Sequence, residues 1–207
     1  MPAARESLLD AAFTALADRP WAVVRMVDVA VAAGVSRQTL YNEFGSKDGL
    51  ARALVRREAE AYLIGVERAL SGATGAAGPN ERLVAAAGWT VRAAAANPLV
   101  RAVLTGCWSE RLPSPVRLGS PGTLSRRPGI PDPLPSPVDL LAQIRDRAVR
   151  LLAGEWPRGG AADLGQACET AARLALSYVV APVSEPVSEE EVEGLVRGAL
   201  AQGPGRA

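Results

Sequence analysis

The 207-residue sequence has no histidine, two cysteines and, at Lys47, a single lysine. Without histidine the chain lacks the commonest zinc ligand and the side chain that most often moves protons near neutral pH. Cys107 and Cys168 lie in separate segments with no partner at metal-ligand spacing, so both are expected to be buried small hydrophobes. No metal, no cofactor and no catalytic residue is expected. Strand patterns are also missing: no alternating run of β-branched residues is bounded by hairpin turns. No apolar stretch reaches about 18 residues without Arg, Glu or Gly, which excludes a membrane-spanning helix. The first residues lack the basic start and long apolar run of a signal peptide, so the cytoplasm is the expected location. An excess of one charge is absent too, the formal net charge being +1.

What remains is rich in Ala, Leu and Val with few aromatics, a composition that suits packed helices. The expected fold is all-α, with about nine helices. An apolar stripe of Leu8, Leu9, Ala12, Phe13 and Leu16 marks a first helix over Ala4–Ala17. Lys47 to Leu70 reads as one long helix with Leu50, Leu54, Ala61, Leu63 and Val66 inward. Further helices are expected from Pro79 to Ala96, Leu99 to Ser109, Val138 to Ala153, Ala161 to Val180, and from an N-cap at Ser188 to about Leu200. The stretch 112–137 is crowded with Pro, Gly and Ser and reads as a long mobile loop. The division predicted is a head over 1–50 and a body over 51–207.

Within the head, residues 25–44 carry the most specific pattern. Val27, Val29, Ala30 and Ala33 form an apolar helix face. Gly34 supplies the positive φ that ends it, Val35 follows as a wedge, and Ser36 is a natural N-cap for a second helix. That helix, Arg37 to Phe44, buries Leu40 and Phe44. Its other face shows Arg37, Gln38, Thr39, Tyr41 and Asn42. Two helices joined through a Gly-containing turn, the second polar outside, make a helix-turn-helix whose second helix enters the major groove. The first seventy residues balance nine basic against nine acidic groups, but from Arg19 to Arg57 seven basic residues face three acids, a local excess of four. Grip on DNA must therefore come from a few placed groups.

The string DVAVAAGVSRQTLYNEFGSKDGL resembles the DNA-binding head of TetR-family transcriptional regulators over about Arg5 to Leu54. The resemblance implies a homodimer that presents two recognition helices to a palindromic operator, a small-molecule effector pocket in the body, and loss of DNA binding when that pocket fills. Arg37 and Gln38 fall at the base-reading positions, where Arg suits guanine and Gln adenine. Thr39, Tyr41 and Lys47 fall where the family holds phosphates; Ser36, Asn42 and Arg25 are further backbone contacts. Two positions depart from the family's pattern. Arg25 stands where an N-cap Thr is common, and Glu43 stands where His commonly precedes the aromatic. Glu43 either accepts a bond from cytosine N4 or turns outward and weakens binding.

In the body, the resemblance points to Tyr62, Trp89, Leu104, Cys107 and Trp108 as the lining of a mainly apolar pocket, with Arg92 or Asn97 as polar handles. The small-residue face of 161–182 suits either core or close helix approach. The resemblance favours a homodimer interface there, completed by Val192, Leu195, Val196 and Leu200 within 188–201. The reading is a DNA-binding regulator, expected to be a repressor. The rivals are a helical protein-interaction module and an all-helical enzyme, the latter opposed by the absence of any nucleophile–base pairing.

Overall fold

The computed structural model describes residues 2–72, 75, 78–113, 134–156, 160–181 and 189–202. Every regular element among them is helical. In chain order these are α1 (Pro2–Asp18), a 3₁₀ turn (Trp21–Val23), α2 (Met26–Ala32), α3 (Arg37–Phe44), α4 (Lys47–Leu70), α5 (Gly78–Ala96), α6 (Pro98–Thr105), α7 (Pro137–Leu152), α8 (Ala161–Val180) and α9 (Glu189–Gln202). No helix among the described residues is long and apolar enough to cross a membrane.

The chain divides into two compact units. One is Met1–Glu58 with Cys107–Leu134; the other is Ala59–Gly106 with Pro135–Ala207. The division falls inside α4, eight residues beyond the expected limit at 50, because α4 continues unbroken past Glu58. In the first unit, α1 packs on α2 and α3 around Leu8, Leu9, Leu16, Val29, Leu40, Leu50 and Leu54, all buried. The first unit also takes in the segment after α6: the Trp21 N–H donates to the Arg111 carbonyl at 2.7 Å, and Leu112 and Pro113 are buried. Most of the expected mobile loop, 114–133, lies outside the described residues.

In the second unit α5 lies against α8 and α9, and α7 against α8. Side-chain caps set the starts of α6 and α7. The Asn97 side chain accepts from the N–H groups of Leu99 (3.0 Å) and Val100 (3.3 Å), with Pro98 in the first turn. Ser136 and Asp139 form a reciprocal capping box that starts α7 at Pro137. The hydrogen bond from Ser136 holds the Asp139 carboxyl below its ordinary value. The expected cap at Ser188 lies outside the described residues.

Four expectations need correcting. α6 ends at Thr105, not Ser109, because Gly106 takes a left-handed φ of 72° and closes the helix with its N–H on the Ala102 carbonyl. Cys107 and Trp108 therefore lie off the helix, and Cys107 is exposed instead of buried. Phe44 and Ala61 are not core: Phe44 is half-buried and Ala61 exposed. Finally, Val192 and Val196 are 0 % exposed, and Ala167, Ala171 and Ala175 are also covered by their own chain. That face of α8 and those two valines are internal core, so they cannot meet a second copy. What α9 leaves outside is Leu195, flanked by Gly194 and Gly198, where an added Cβ would meet nothing within 4 Å.

Candidate nucleic-acid interface

The helix-turn-helix is closed by backbone bonds that its sequence dictates. Gly34 sits at φ 68°, its N–H bonds the Val31 carbonyl (3.1 Å), and the Val35 N–H reaches back to Ala30 (3.0 Å). This is a Schellman ending, which satisfies two of the carbonyls orphaned at the end of α2. Two residues on, the Ser36 hydroxyl accepts from the Thr39 N–H at 3.0 Å and starts α3. Gly45, at φ 71°, ends α3, and Ser46 caps α4 by accepting from the Gly49 N–H at 3.0 Å. The α3–α4 corner is tight. A Cβ on Gly49 would overlap the Phe44 carbonyl, so glycine is required by close approach rather than by its φ.

Leu40 anchors α3 in the head with no exposure, which fixes the opposite face outward. Arg37, Gln38 and Asn42 are exposed there, and Tyr41 is 47 % exposed. The Gln38 amide donates to the Asn42 side-chain oxygen at 2.7 Å, so the two project as a pair. The Ser36 and Thr39 hydroxyls lie 2.9 Å apart. Whichever donates, one hydroxyl proton of the two stays available for a phosphate oxygen. Arg37 makes no ion pair or hydrogen bond among the described residues, so its five donors face outward uncommitted.

Arg25, Arg37, Tyr41 and Lys47 come together on one open groove, floored by Ala22, Val24, Met26 and Val27. Arg25 occupies the N-cap position of α2 without capping it, and its guanidinium lies 3.8 Å from the Asp28 carboxylate. The Lys47 ammonium donates to the Ala22 carbonyl at 3.0 Å and sits 5.5 Å from the centre of the Trp21 ring. Partial burial lowers its pKa, against the opposing pull of Asp48. One of three ammonium protons is used, leaving two donors for an anion at the groove.

The sequence did not reveal who meets Glu43. The Arg5 guanidinium donates to its carboxylate at 2.8 Å and lies over the Phe44 ring, 4.9 Å from its centre. The acid is turned toward α1. Nothing local in the sequence links positions 38 residues apart, so only the packing of α1 on α3 could show it.

The structure brings only some of the expected body-pocket residues together. Tyr62, Trp89 and Leu104 belong to the second unit, whereas Cys107 and Trp108 belong to the first. Thr90 donates to the Ala86 carbonyl (2.8 Å), so the buried Tyr62 hydroxyl must donate to Thr90 (3.0 Å). Burial raises the Tyr62 phenol above its ordinary pKa, against the pull of Thr90. The Trp89 indole N–H donates to the Tyr62 carbonyl at 3.1 Å, and its ring lies against Gly65, where any Cβ would overlap it. The cavity nearest this cluster, between Leu70, Leu83, Thr90, Ile144 and Cys168, holds about 10 Å³, the space of one water molecule. Burial pushes the Cys168 thiol up to about 12. Neither expected polar handle reaches it: Asn97 caps α6, and Arg92 pairs with Glu189 at the surface. Among the described residues no cluster of three or more His, Cys, Asp or Glu side chains could hold a metal.

Residues 8–54, the helices that build this surface, match the model of the bacterial regulatory proteins of the tetR family. The HTH-type transcriptional regulator AlkX of Mycobacterium tuberculosis is 40 % identical over 102 residues, which are 49 % of this chain and 47 % of that protein. The match thus spans about half of that relative's length. Among solved structures, the TetR-family repressor AlkX of a Dietzia species aligns over 95 % of both chains at 24 % identity with a TM-score of 0.56. A TetR-family regulator from a Rhodococcus species covers 99 % of this chain and 100 % of its own at 21 % identity, with a TM-score of 0.59. These two show a shared fold over the whole length. The matched family and relatives are transcriptional regulators, not enzymes. The chain is therefore similar to TetR-family regulators in two respects: residues 8–54 match that family's model, and the fold is shared with solved TetR-family structures.

Proposed function

We propose that the protein is a homodimeric, effector-responsive repressor that reads a palindromic operator through α3. The observation that carries the reading is the arrangement of Arg37, uncommitted and exposed on a helix fixed from behind by Leu40, beside a groove holding Arg25, Tyr41 and Lys47. Arg37 reads guanine and Gln38 adenine in the major groove, while Lys47, Tyr41, Arg25 and the Ser36–Thr39 hydroxyl pair grip phosphates. Asn42 orients the Gln38 amide. Gel shift with DNA from upstream of the gene tests this. A discrete complex that weakens with salt is expected, and Arg37→Ala should cost about 2 kcal/mol, roughly thirtyfold, on the specific sequence. No shift at low salt with any genomic fragment would sink the reading.

A palindrome needs two heads, and the outer surface of α9 supports where they join. Leu195 with Gly194 and Gly198 leaves a strip on which a second backbone can lie close. The effector reading rests on the apolar lining of the 10 Å³ cavity. A ligand entering there must displace Leu70 or its neighbours, and α4 runs unbroken from Leu70 back to Lys47. A shift of α4 changes the distance between two recognition helices, which must stay near about 34–36 Å for successive major grooves. A thermal-shift screen of apolar metabolites checks this: compounds that raise the melting temperature should release operator DNA. Stabilising compounds that leave operator binding unchanged would refute induction.

A further inference from the structure

We propose that Arg5 is a positioning residue for DNA binding, cancelling the charge of Glu43 at the edge of the recognition face and pinning the last turn of α3 to α1. The proposal rests on the DNA-binding reading above. The α3 sequence, RQTLYNEF, holds one cation and one anion, so taken alone it offers phosphates no net attraction. Glu43 follows Asn42 directly, and a bare carboxylate there would lie within a Debye length of the phosphates, about 8 Å at physiological salt.

The structure places a counter-charge on it from outside the motif. Arg5 Nη1 donates to Glu43 Oε1 at 2.8 Å, with the two side chains 41 % and 28 % exposed. The same guanidinium lies over the Phe44 ring at 4.9 Å, so a charge-assisted bond and a cation–π contact hold one planar group against two consecutive residues of α3. This is a fork held at two points, unlike Arg25, whose single contact is 3.8 Å long. With Glu43 offset, the field of α3 is that of Arg37.

Fluorescence anisotropy of an operator fragment with the full-length chain tests this across Arg5→Ala, Glu43→Gln, their combination and Arg5→Lys, with a melting curve for each. Arg5→Ala should weaken binding about five- to tenfold, the value of one unscreened like charge at contact range. Adding Glu43→Gln to it should restore affinity to within about twofold of wild type, because no acid is left to offset. Arg5→Lys, which keeps the charge, should stay within about threefold of wild type. The proposal is overturned if Arg5→Ala binds as wild type, or if the double variant stays as weak as Arg5→Ala. In the second case Arg5 itself grips a phosphate, and the log–log salt slope falls by about 0.9 in both variants. If Arg5→Lys falls as far as Arg5→Ala, charge cancellation is likewise refuted. Failure of the wild-type chain to bind any fragment would instead strike the DNA-binding reading, because every outcome above is a ratio to wild-type affinity.

Discussion

The outer face of α3 and the core around Tyr62 treat their polar side chains in opposite ways. In the head, the hydrogen-bonding groups at the start of α3 and of α4 stay partly or wholly unused: Arg37 has no partner among the described residues, Lys47 spends one of its protons on Ala22, and Ser36 and Thr39 keep one proton between them. In the body, Thr90 donates to Ala86 and Tyr62 to Thr90, both buried, and the part-buried Trp89 donates to the Tyr62 carbonyl. A surface meant for a hydrated, charged partner keeps donors in reserve on a rigid backbone. The core around Tyr62 and Thr90 keeps its donors satisfied, since a buried donor without a partner costs about 1–3 kcal/mol. The recognition face thus holds donors in reserve and the Tyr62–Thr90 core does not.

That contrast can be tested by substitutions that strike one unit at a time. The heaviest loss should come at the α3–α4 corner, where Gly49→Ala forces a Cβ into the Phe44 carbonyl. It should destabilise the head by about 3 kcal/mol and abolish operator binding while the helical signal of the body persists, as seen by circular dichroism and a two-step melt. Thr90→Val should act on the other side. It leaves the Tyr62 hydroxyl buried and unpaired, costs about 2 kcal/mol in chemical denaturation of the body, and should leave operator affinity within about twofold. If it weakens DNA binding more than stability, the head is less self-sufficient than its geometry indicates.

Gly194→Ala with Gly198→Ala is expected to give opposite signs in two measurements. Each should raise intrinsic helix stability by up to about 1 kcal/mol, since among the described residues nothing lies within 4 Å of a Cβ at either position. In sedimentation the same pair should weaken self-association if a second helix lies on this strip. Stabilisation without loss of the dimer would move the interface elsewhere.

The smallest effect concerns the two thiols. Exposed Cys107 should react with a disulfide reagent at pH 8 and Cys168 only after unfolding. Because the folded Cys168 pKa is raised to about 12, the native state holds its proton more tightly than the unfolded chain. Stability should therefore fall as pH rises from about 9 towards 12, and Cys168→Ala should remove that part of the slope.

Much of this was legible in the sequence, and the misses share a cause. The limits of α4 at Lys47–Leu70 and α8 at Ala161–Val180 follow from apolar period and from caps or breakers at their ends. The turn at Gly34, the cap at Ser36 and the inward Leu40 are equally local, so the recognition face could be read directly. The apolar pattern overstates α6 because Cys107 and Trp108 prolong it past Gly106, whose positive φ outweighs that pattern. Periodicity shows which face of a helix is apolar but not what covers it. Hence the alanines of α8, with Val192 and Val196, looked like an interface and proved to be core. Arg5 with Glu43, and Trp89 with the Tyr62 carbonyl, join distant positions that only the fold brings together.

Lys47 has a practical use that follows from its solitude. Every other fixed positive side chain is arginine, so the sequence offers one ε-amine, and it sits beside Arg37 and Tyr41 on the groove. Reductive methylation with isotopically labelled formaldehyde would place a compact reporter on that nitrogen without changing a codon. Its resonance would carry the ring-current signature of the Trp21 indole below it, and would move when a phosphate arrives or when the α4 terminus shifts. One atom could then register both the arrival of DNA and the response to an effector.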